Sequence, residues 1–448
     1  MNRTDPTSAR PGARKNQFLL LLILFLDLVG FALIFPLVPE LLDFYRRGVP
    51  GQPIDTWFLS INDALFQLLP LDRRSHENQI IIMGGVLASL YSVLQFMAAP
   101  YWGKLSDRIG RRPVLLVTSL GLALSYLIWS VSLSFTAFIG ARILGGLMAG
   151  NMSVASAAMA DMSPIEHRTR AMGLVGAAFG MGFVVGPALG GISSLWDISH
   201  LATFFTPFSF TALVAFLLGI LSAGLNLGFL KETLGQRNGD GPLWIQNPIK
   251  VIRSRLDTHR LGRILALNFL YLITFSAFEF SFTFFYKLDF GLDPSGIGLI
   301  FLYLGVLLVL GQGGLVRALE GRMDGRKMAI LGFALLPLPM YLMAYTAPSV
   351  GLSLVCLFPI AIGSSLIQPA LAGLTSLNAA EDRQGLALGV LRSTGSLGRA
   401  IGPLGGAYLY WFLGIHDTYL VIAILLLLVV LLALSAPDPT RPPREEAP

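Results

Sequence analysis

Stretches of about 20 apolar residues, separated by short polar turns, run the length of the chain. They fall near residues 18–39, 80–101, 113–133, 136–159, 171–192 and 203–229. After a polar stretch from Lys231 to Arg263, six more follow near 264–286, 295–315, 328–346, 350–376, 386–411 and 417–435. Each is long enough to cross a hydrocarbon core, and none shows the alternation of a barrel strand. Unpaired backbone amides are too costly in lipid, so the pattern predicts twelve transmembrane helices.

The pattern is also duplicated. Gly182-Phe183-Val184-Val185-Gly186-Pro187-Ala188-Leu189-Gly190-Gly191 in the fifth stretch returns about 216 residues later as Gly398-Arg399-Ala400-Ile401-Gly402-Pro403-Leu404-Gly405-Gly406 in the eleventh. The predicted fold is all-α and integral to the membrane, with two pseudo-symmetric six-helix bundles. The expected organisation is a tail over 1–17, a first bundle over 18–230, a linker over 231–263, a second bundle over 264–435 and a tail over 436–448. The first copy is longer by about 30 residues, in the loop 40–79 after the first stretch. There Trp57, Ile61, Leu65 and Leu68 recur at helical spacing with Asn62 and Asp63 off the stripe. That spacing predicts a helix lying on the outer membrane surface, with a lid over the pathway as the sharper alternative.

Composition agrees with a bilayer setting. The 448 residues are 54% hydrophobic and 13% charged, and the mean hydropathy is +0.68, too apolar for a soluble domain of this size. The first stretch, Phe18 to Pro39, follows Arg10, Arg14 and Lys15 as a secretory signal would. It is about 22 residues long, carries Asp27 in its middle and has no small-residue cleavage site behind it, so it is read as a retained span. Cys356 is the single cysteine, which excludes an internal disulfide. The net charge of +6 is scattered over short loops and forms no stripe for nucleic acid. Of the 32 Lys and Arg, about 24 fall on the side of the termini and linker, about five opposite and about three inside spans. That bias predicts cytoplasmic termini, and the basic end of the linker, Lys250 to Arg263, is expected to lie against anionic lipid.

Three motifs narrow the class. Gly103-Lys104-Leu105-Ser106-Asp107-Arg108-Ile109-Gly110-Arg111-Arg112-Pro113 stands between the second and third spans, Arg142-Ile143-Leu144-Gly145-Gly146-Leu147-Met148-Ala149-Gly150 in the fourth, and the Gly-Pro motif in the fifth. Together they resemble the signature motifs of the major facilitator superfamily, the last being similar to the motif of its antiporters. Asp27-Leu28-Val29-Gly30-Phe31-Ala32-Leu33-Ile34-Phe35-Pro36-Leu37-Val38-Pro39 resembles the first span of its twelve-span drug:proton antiporters, the tetracycline exporters among them. Ser92-Val93-Leu94-Gln95-Phe96, Gly150-Asn151-Met152-Ser153, Leu391-Arg392-Ser393, Arg399-Ala400 and Gly402-Pro403 resemble the tetracycline-transporter-like group of animals. The resemblance implies efflux of organic anions, including amphipathic drugs, with Arg142 coupling protonation to substrate movement. In the signature loop, Gly103 and Gly110 allow a tight turn, Asp107 is expected to meet a helix N-terminus across the seam between halves, and Arg108, Arg111 and Arg112 to face lipid phosphates. The second-half counterpart, Gly321-Arg322-Met323-Asp324-Gly325-Arg326-Lys327, is degenerate.

Five ionisable side chains lie well inside spans: Asp27, Arg142, Glu279, Arg392 and Arg399. Each costs about 2.5–3.5 kcal/mol on insertion scales, so each is expected to face a cavity or a partner. At about 1.5 Å per residue, Asp27 lies roughly 15 Å into the first span and Glu279 roughly 22 Å into the seventh. Both carboxyls are candidate proton carriers, the alternative being a permanent ion pair with arginine. Arg399 and Arg392 sit seven residues apart on one face of the eleventh span, where a guanidinium fork suits carboxylate or phosphate. They are candidate substrate contacts, or else neutralise Asp27 or Glu279. Tyr91, Gln95, Asn151, Gln312 and Gln368 add neutral hydrogen-bonding groups, and Phe275 and Phe278, with Tyr271, add aromatic surface for an amphipathic ligand. Interhelical bonding and packing compete with each of these roles. Gly182, Gly186, Pro187, Gly190, Gly398, Gly402 and Pro403 are expected to seat bent helices tightly at the seam and limit leak while the halves rock.

No Gly-Lys-Ser/Thr phosphate loop occurs, which points to an ion gradient as energy source, and the histidines have no metal-ligand spacing. The expectation is a secondary transporter, not an enzyme, with no cofactor or metal. It would exchange protons for organic anions or drugs as a monomer in the plasma or inner membrane, touching lipid but no nucleic acid. A facilitator or symporter of a small metabolite anion, and a transport-fold receptor or scaffold, remain open at this point.

Overall fold

The computed structural model describes residues 13–48, 55–68, 76–164, 168–234, 259–319, 322–379 and 384–434. Twelve long helices run through it. Spans 1 to 6 are Arg14–Arg47, Gln79–Ile109, Arg111–Ser130, Phe135–Asp161, Ala171–Ser193 and Ser209–Phe229. Spans 7 to 10 are Arg260–Leu288, Pro294–Leu319, Gly325–Met343 and Val350–Leu377, and span 12 is Ile415–Leu434. These eleven are long and apolar enough to cross a membrane. Span 11, Gln384–Leu413, is 30 residues long; it has the length to cross but carries Arg392 and Arg399, which dilute its hydropathy. Leucines and valines such as Leu217, Val355 and Leu431 are more than 60% exposed on the outside of the helices, the surface that hydrocarbon would cover.

Local sequence sets the ends. Ser134, Asp293, Asp324 and Ser349 cap spans 4, 8, 9 and 10, each side chain accepting from a backbone N–H of the first turn. Gly110 and Gly414, at φ of 112° and 83°, make the tight turns into spans 3 and 12, a backbone region that costs other residues strain. Four spans are interrupted. Span 1 passes through a 3₁₀ turn at Phe35–Leu37, span 4 breaks between Met148 and Asn151, span 8 contains a π-turn at Gly311–Leu315, and span 9 breaks before Pro337.

The packing repeats the sequence duplication. Span 1 packs on spans 5 and 6 as span 7 packs on spans 11 and 12, and span 3 meets span 6 as span 9 meets span 12. The two most extensive contacts between the halves are span 5 against span 8 and span 11 against span 2, one contact made twice, and span 7 adds smaller ones to spans 1 and 2, including an ion pair of Lys287 with Glu40. The linker residues 235–258, the tails 1–12 and 435–448, and Gly321 lie outside the described residues. Arg260 to Arg263, expected as linker, already belong to the helix of span 7.

The outer helix is Thr56–Leu68. It is fastened to the start of span 4, where Asp55 accepts from the backbone N and Oγ1 of Thr136, Trp57 Nε1 donates to Thr136 Oγ1 at 2.8 Å, and the Phe58 ring lies 3.8 Å from that of Phe135. Phe58, 1% exposed, makes the inward contact, whereas Trp57 and Ile61 of the predicted stripe are exposed. The side chains of Asn62, Leu65 and Leu68 lie outside the described residues.

Candidate transport site

Asp27, Ser119, Asn151 and Arg142 come together inside the first half. Asp27 is 4% exposed. Its Oδ2 accepts from Asn151 Nδ2 at 2.6 Å and from Ser119 Oγ at 3.0 Å, while Oδ1 has no partner among the described residues. Asn151 reaches the carboxylate because span 4 breaks beside it. At the break Gly150 lies flat on the Trp102 ring, Trp102 Nε1 donates to the Leu147 carbonyl at 2.6 Å, and Gln95 Nε2 donates to the Ala149 carbonyl at 3.1 Å. Broken backbone inside a membrane is tolerated where neighbours satisfy it, as span 2 does here. Arg142, 7% exposed, rests its guanidinium 4.3 Å from the centre of the Tyr91 ring.

In the second half, Glu279 of span 7 is partly buried, and Arg399 of span 11 is within electrostatic reach of it. Arg399 also reaches across to the other half. Its guanidinium stacks 4.7 Å from the Phe179 ring and 5.2 Å from the Phe183 ring, both on span 5. Phe183 and Arg399 are equivalent positions of the repeated motif, so the two copies meet face to face across the seam. Arg392 also crosses it, donating to Ser156 Oγ at 2.7 Å and to the Met172 carbonyl at 2.9 Å. Its fork is thus not shared with Arg399 as a ligand clamp. Among the described residues none of Asp27, Glu279, Arg142, Arg392 or Arg399 forms a close ion pair, although Arg399 acts electrostatically on Glu279.

The other expected contacts divide. Phe275 is partly exposed beside Tyr271, whereas Phe278 is 1% exposed and packed between Phe282 and Tyr419, so it belongs to the core of the second half and not to a ligand surface. Gln368 donates to Asn268 Oδ1 at 3.4 Å, and Asn268 donates on to the Leu391 carbonyl, a chain that ties spans 10, 7 and 11 together. Gln312, in the π-turn of span 8, faces Gly180 of span 5.

The signature loop departs from its expectation. Asp107 pairs with Arg111 four residues on at 2.6 Å, and Arg111, only 8% exposed, also binds Asp161 at 2.9 Å. The helix N-terminus beside this loop is that of span 3. It is capped by Glu232, which accepts from the backbone N–H groups of Arg111 and Arg112. The charge cluster is therefore internal to the first half; among the described residues Asp107 makes no seam contact, and Arg111 is buried and does not face lipid. Arg112 donates to the Leu227 carbonyl.

The glycine motifs seat spans 5 and 11 closely against their neighbours. Gly182, Gly186 and Gly190 face span 1, and Gly398, Gly402 and Gly406 face span 7, within one half each. A Cβ at Gly402 would lie 2.6 Å from the Ile273 carbonyl oxygen, closer than packed atoms come. At the seam, Gly191 and Pro187 of span 5 meet Gly298 of span 8, and Ala407 and Pro403 of span 11 meet Gly85 of span 2. Cβ atoms at Gly298 of span 8 and Gly85 of span 2 would each lie 3.0 Å from a prolyl carbonyl oxygen, of Pro187 and Pro403 respectively.

Two six-helix bundles with broken helices and buried, ion-pair-free charges at their interface define a membrane transporter. The chain belongs to the major facilitator superfamily, whose model, described as Major Facilitator Superfamily, matches residues 20–323 and 264–448. It is 30% identical to the major facilitator superfamily domain-containing protein 10 of Mus musculus over 98% of this chain and 97% of that protein. It is also 30% identical to the class H tetracycline resistance protein of Pasteurella multocida over 88% of this chain and 89% of that protein. Among solved structures, that of the human organic anion transporter MFSD10 (TETRAN) superposes with a TM-score of 0.74 at 27% identity, covering 95% of this chain and 100% of that one. A bacterial homologue of the lysosomal transporter Spinster, at 15% identity and TM-score 0.69, shares the fold. The protein is a transporter and not an enzyme.

Sequence reasoning missed Ser119 and the ring partners Phe31, Phe35, Phe179 and Phe183. The pairs Phe31/Phe35 and Phe179/Phe183 do stand at i,i+4, the spacing of neighbours on one helix face.

Proposed function

We propose that this transporter exports amphipathic organic anions in exchange for protons, by alternating access of one central site to the two faces of the membrane. Arg399 carries the reading. It is a mid-span guanidinium on the seam, lying on aromatic rings and forming no ion pair among the described residues. Such a group attracts an anionic head while the rings receive an apolar body. Asp27 is held by the neutral donors Ser119 and Asn151, so it can take or lose a proton without breaking an ion pair. Glu279, beside Arg399, is the second proton carrier, and Arg142, resting on Tyr91, is the coupling cation. The printed names of the relatives, an organic anion transporter and tetracycline resistance proteins, support the cargo class. The basic bias of the terminal side supports cytoplasmic termini.

Reconstituted into proteoliposomes, the protein is expected to accumulate a fluorescent organic anion when a pH gradient is imposed, and the double variant Asp27→Asn, Glu279→Gln is expected to lose that response. Uptake indifferent to the gradient, and unchanged in the double variant, would sink the mechanism.

A further inference from the structure

We infer that Phe179, Phe183 and Phe31 form an aromatic shelf beside Arg399 that selects cargo with a flat π face, so that the preferred ligand is a planar aromatic monoanion over an aliphatic one of equal charge and size. The inference deepens the anion-exporter reading and rests on it for the location of the site. Phe179 and Phe183 lie one turn apart on span 5, their ring centres 4.7 Å apart. The row continues from Phe183 to Phe31 at 5.8 Å and to Phe35 at 5.6 Å, and from Phe31 to Tyr91 at 4.7 Å with planes 29° apart. Tyr91 in turn carries Arg142. A row of rings thus crosses the first half with a guanidinium at each end.

The four phenylalanines are only partly buried. By contrast, Phe278, Phe282 and Tyr419, the aromatic cluster of the second half, are fully buried. The partly buried rings thus differ from these core aromatics, and two of them, Phe179 and Phe183, carry the Arg399 guanidinium. A guanidinium lying flat on a ring keeps its N–H groups in its own plane, directed outward past the ring edge. An arylcarboxylate bound to that edge has its ring nearly coplanar with the carboxylate, so its face lies along the shelf in an offset stack. A saturated ring of the same size gains apolar burial but no stacking. Glu279 lies within electrostatic reach of Arg399, so a second anionic group on the ligand would meet repulsion there.

Equilibrium binding of 2-naphthoate and of its saturated counterpart, decahydro-2-naphthoate, to the purified full-length protein in detergent tests the shelf. The wild type is expected to bind 2-naphthoate about 3 to 10-fold more tightly. Phe183→Leu and Phe179→Leu are expected to remove that preference by weakening 2-naphthoate alone, and Phe183→Trp to keep it. Thermal melting of each variant reports whether the fold is intact. Equal affinity of the wild type for the two ligands, or parallel weakening of both in Phe183→Leu at an unchanged melting temperature, overturns the proposal. No gradient is present in this experiment, so absence of proton-driven transport would count against the exporter reading and leave the shelf standing. Lost selectivity alongside intact proton-driven uptake would reject the shelf alone.

Discussion

In the first half, Asp27 and Arg142 are held entirely by residues of that half, with Ser119 and Asn151 on the carboxylate and the Tyr91 ring against the guanidinium. The second half treats its buried charges otherwise. Arg392 and Arg399 reach out of it, to Ser156 and Met172 and to the rings of Phe179 and Phe183. Charges satisfied within one rigid bundle keep their partners when the bundles rock, whereas charges satisfied across the seam must change partners. On the proposed mechanism, Asp27 would exchange protons within the self-contained half, whereas the cargo contact Arg399 would bridge the halves, with Glu279 as a second proton carrier beside it.

Removing the carboxylate of the self-contained half is the largest perturbation. Asp27→Asn is expected to lower gradient-driven accumulation about 100-fold, a loss of about 2.7 kcal/mol in driving interaction, measured as initial uptake into proteoliposomes. Next is the bridging half. Arg399→Gln is expected to weaken organic-anion binding about 10 to 100-fold, as loss of a charge-assisted hydrogen-bonding partner does, with Arg399→Lys recovering little because the ammonium lacks the fork; calorimetric titration reads both. If Arg399→Gln instead abolished the response to pH while sparing affinity, the division of labour would be reversed.

Most of the frame was legible from the chain. Most span boundaries agree with the hydropathy pattern to within a few residues; span 1 overshoots the apolar run through Arg47 and span 2 through Ile109, and span 6 begins only at Ser209. The duplication announced the symmetric packing, whereas the contact of Arg399 with Phe183, its counterpart in the other copy, was not read from the motif. What the pattern does not carry is which face of a helix meets which neighbour. Gly182, Gly186 and Gly190 face span 1 and Gly398, Gly402 and Gly406 face span 7, while Gly191 meets span 8 across the seam; a small residue licenses close approach without naming its partner. Asp107 and Arg111 stand on two helices joined by the turn at Gly110, so their pairing could not be read from helical spacing, and the reading followed the loop's family role instead. Among 30 phenylalanines, the pairs that line the seam do not stand out from those that fill the core.

Smaller effects sharpen the same contrast. Gly402→Ala puts a methyl group against the Ile273 carbonyl and Ser276, and is expected to cost about 1–3 kcal/mol, read as a lower melting temperature with little change in ligand selectivity. Arg392→Ala removes a seam contact made to Ser156 and Met172. It is expected to change transport rate about 2 to 5-fold while leaving equilibrium affinity within about 2-fold, since a clasp between the halves acts on their exchange.

The central claim is that the proton site and the cargo site are separable. The direct test measures two fluxes in the same Asp27→Asn proteoliposomes, uptake driven by a pH gradient and exchange of internal for external organic anion with no gradient. The account predicts that the driven flux collapses while exchange continues within a few-fold of wild type. Driven uptake that persists in Asp27→Asn, or exchange lost in step with it while binding is intact, would contradict the claim.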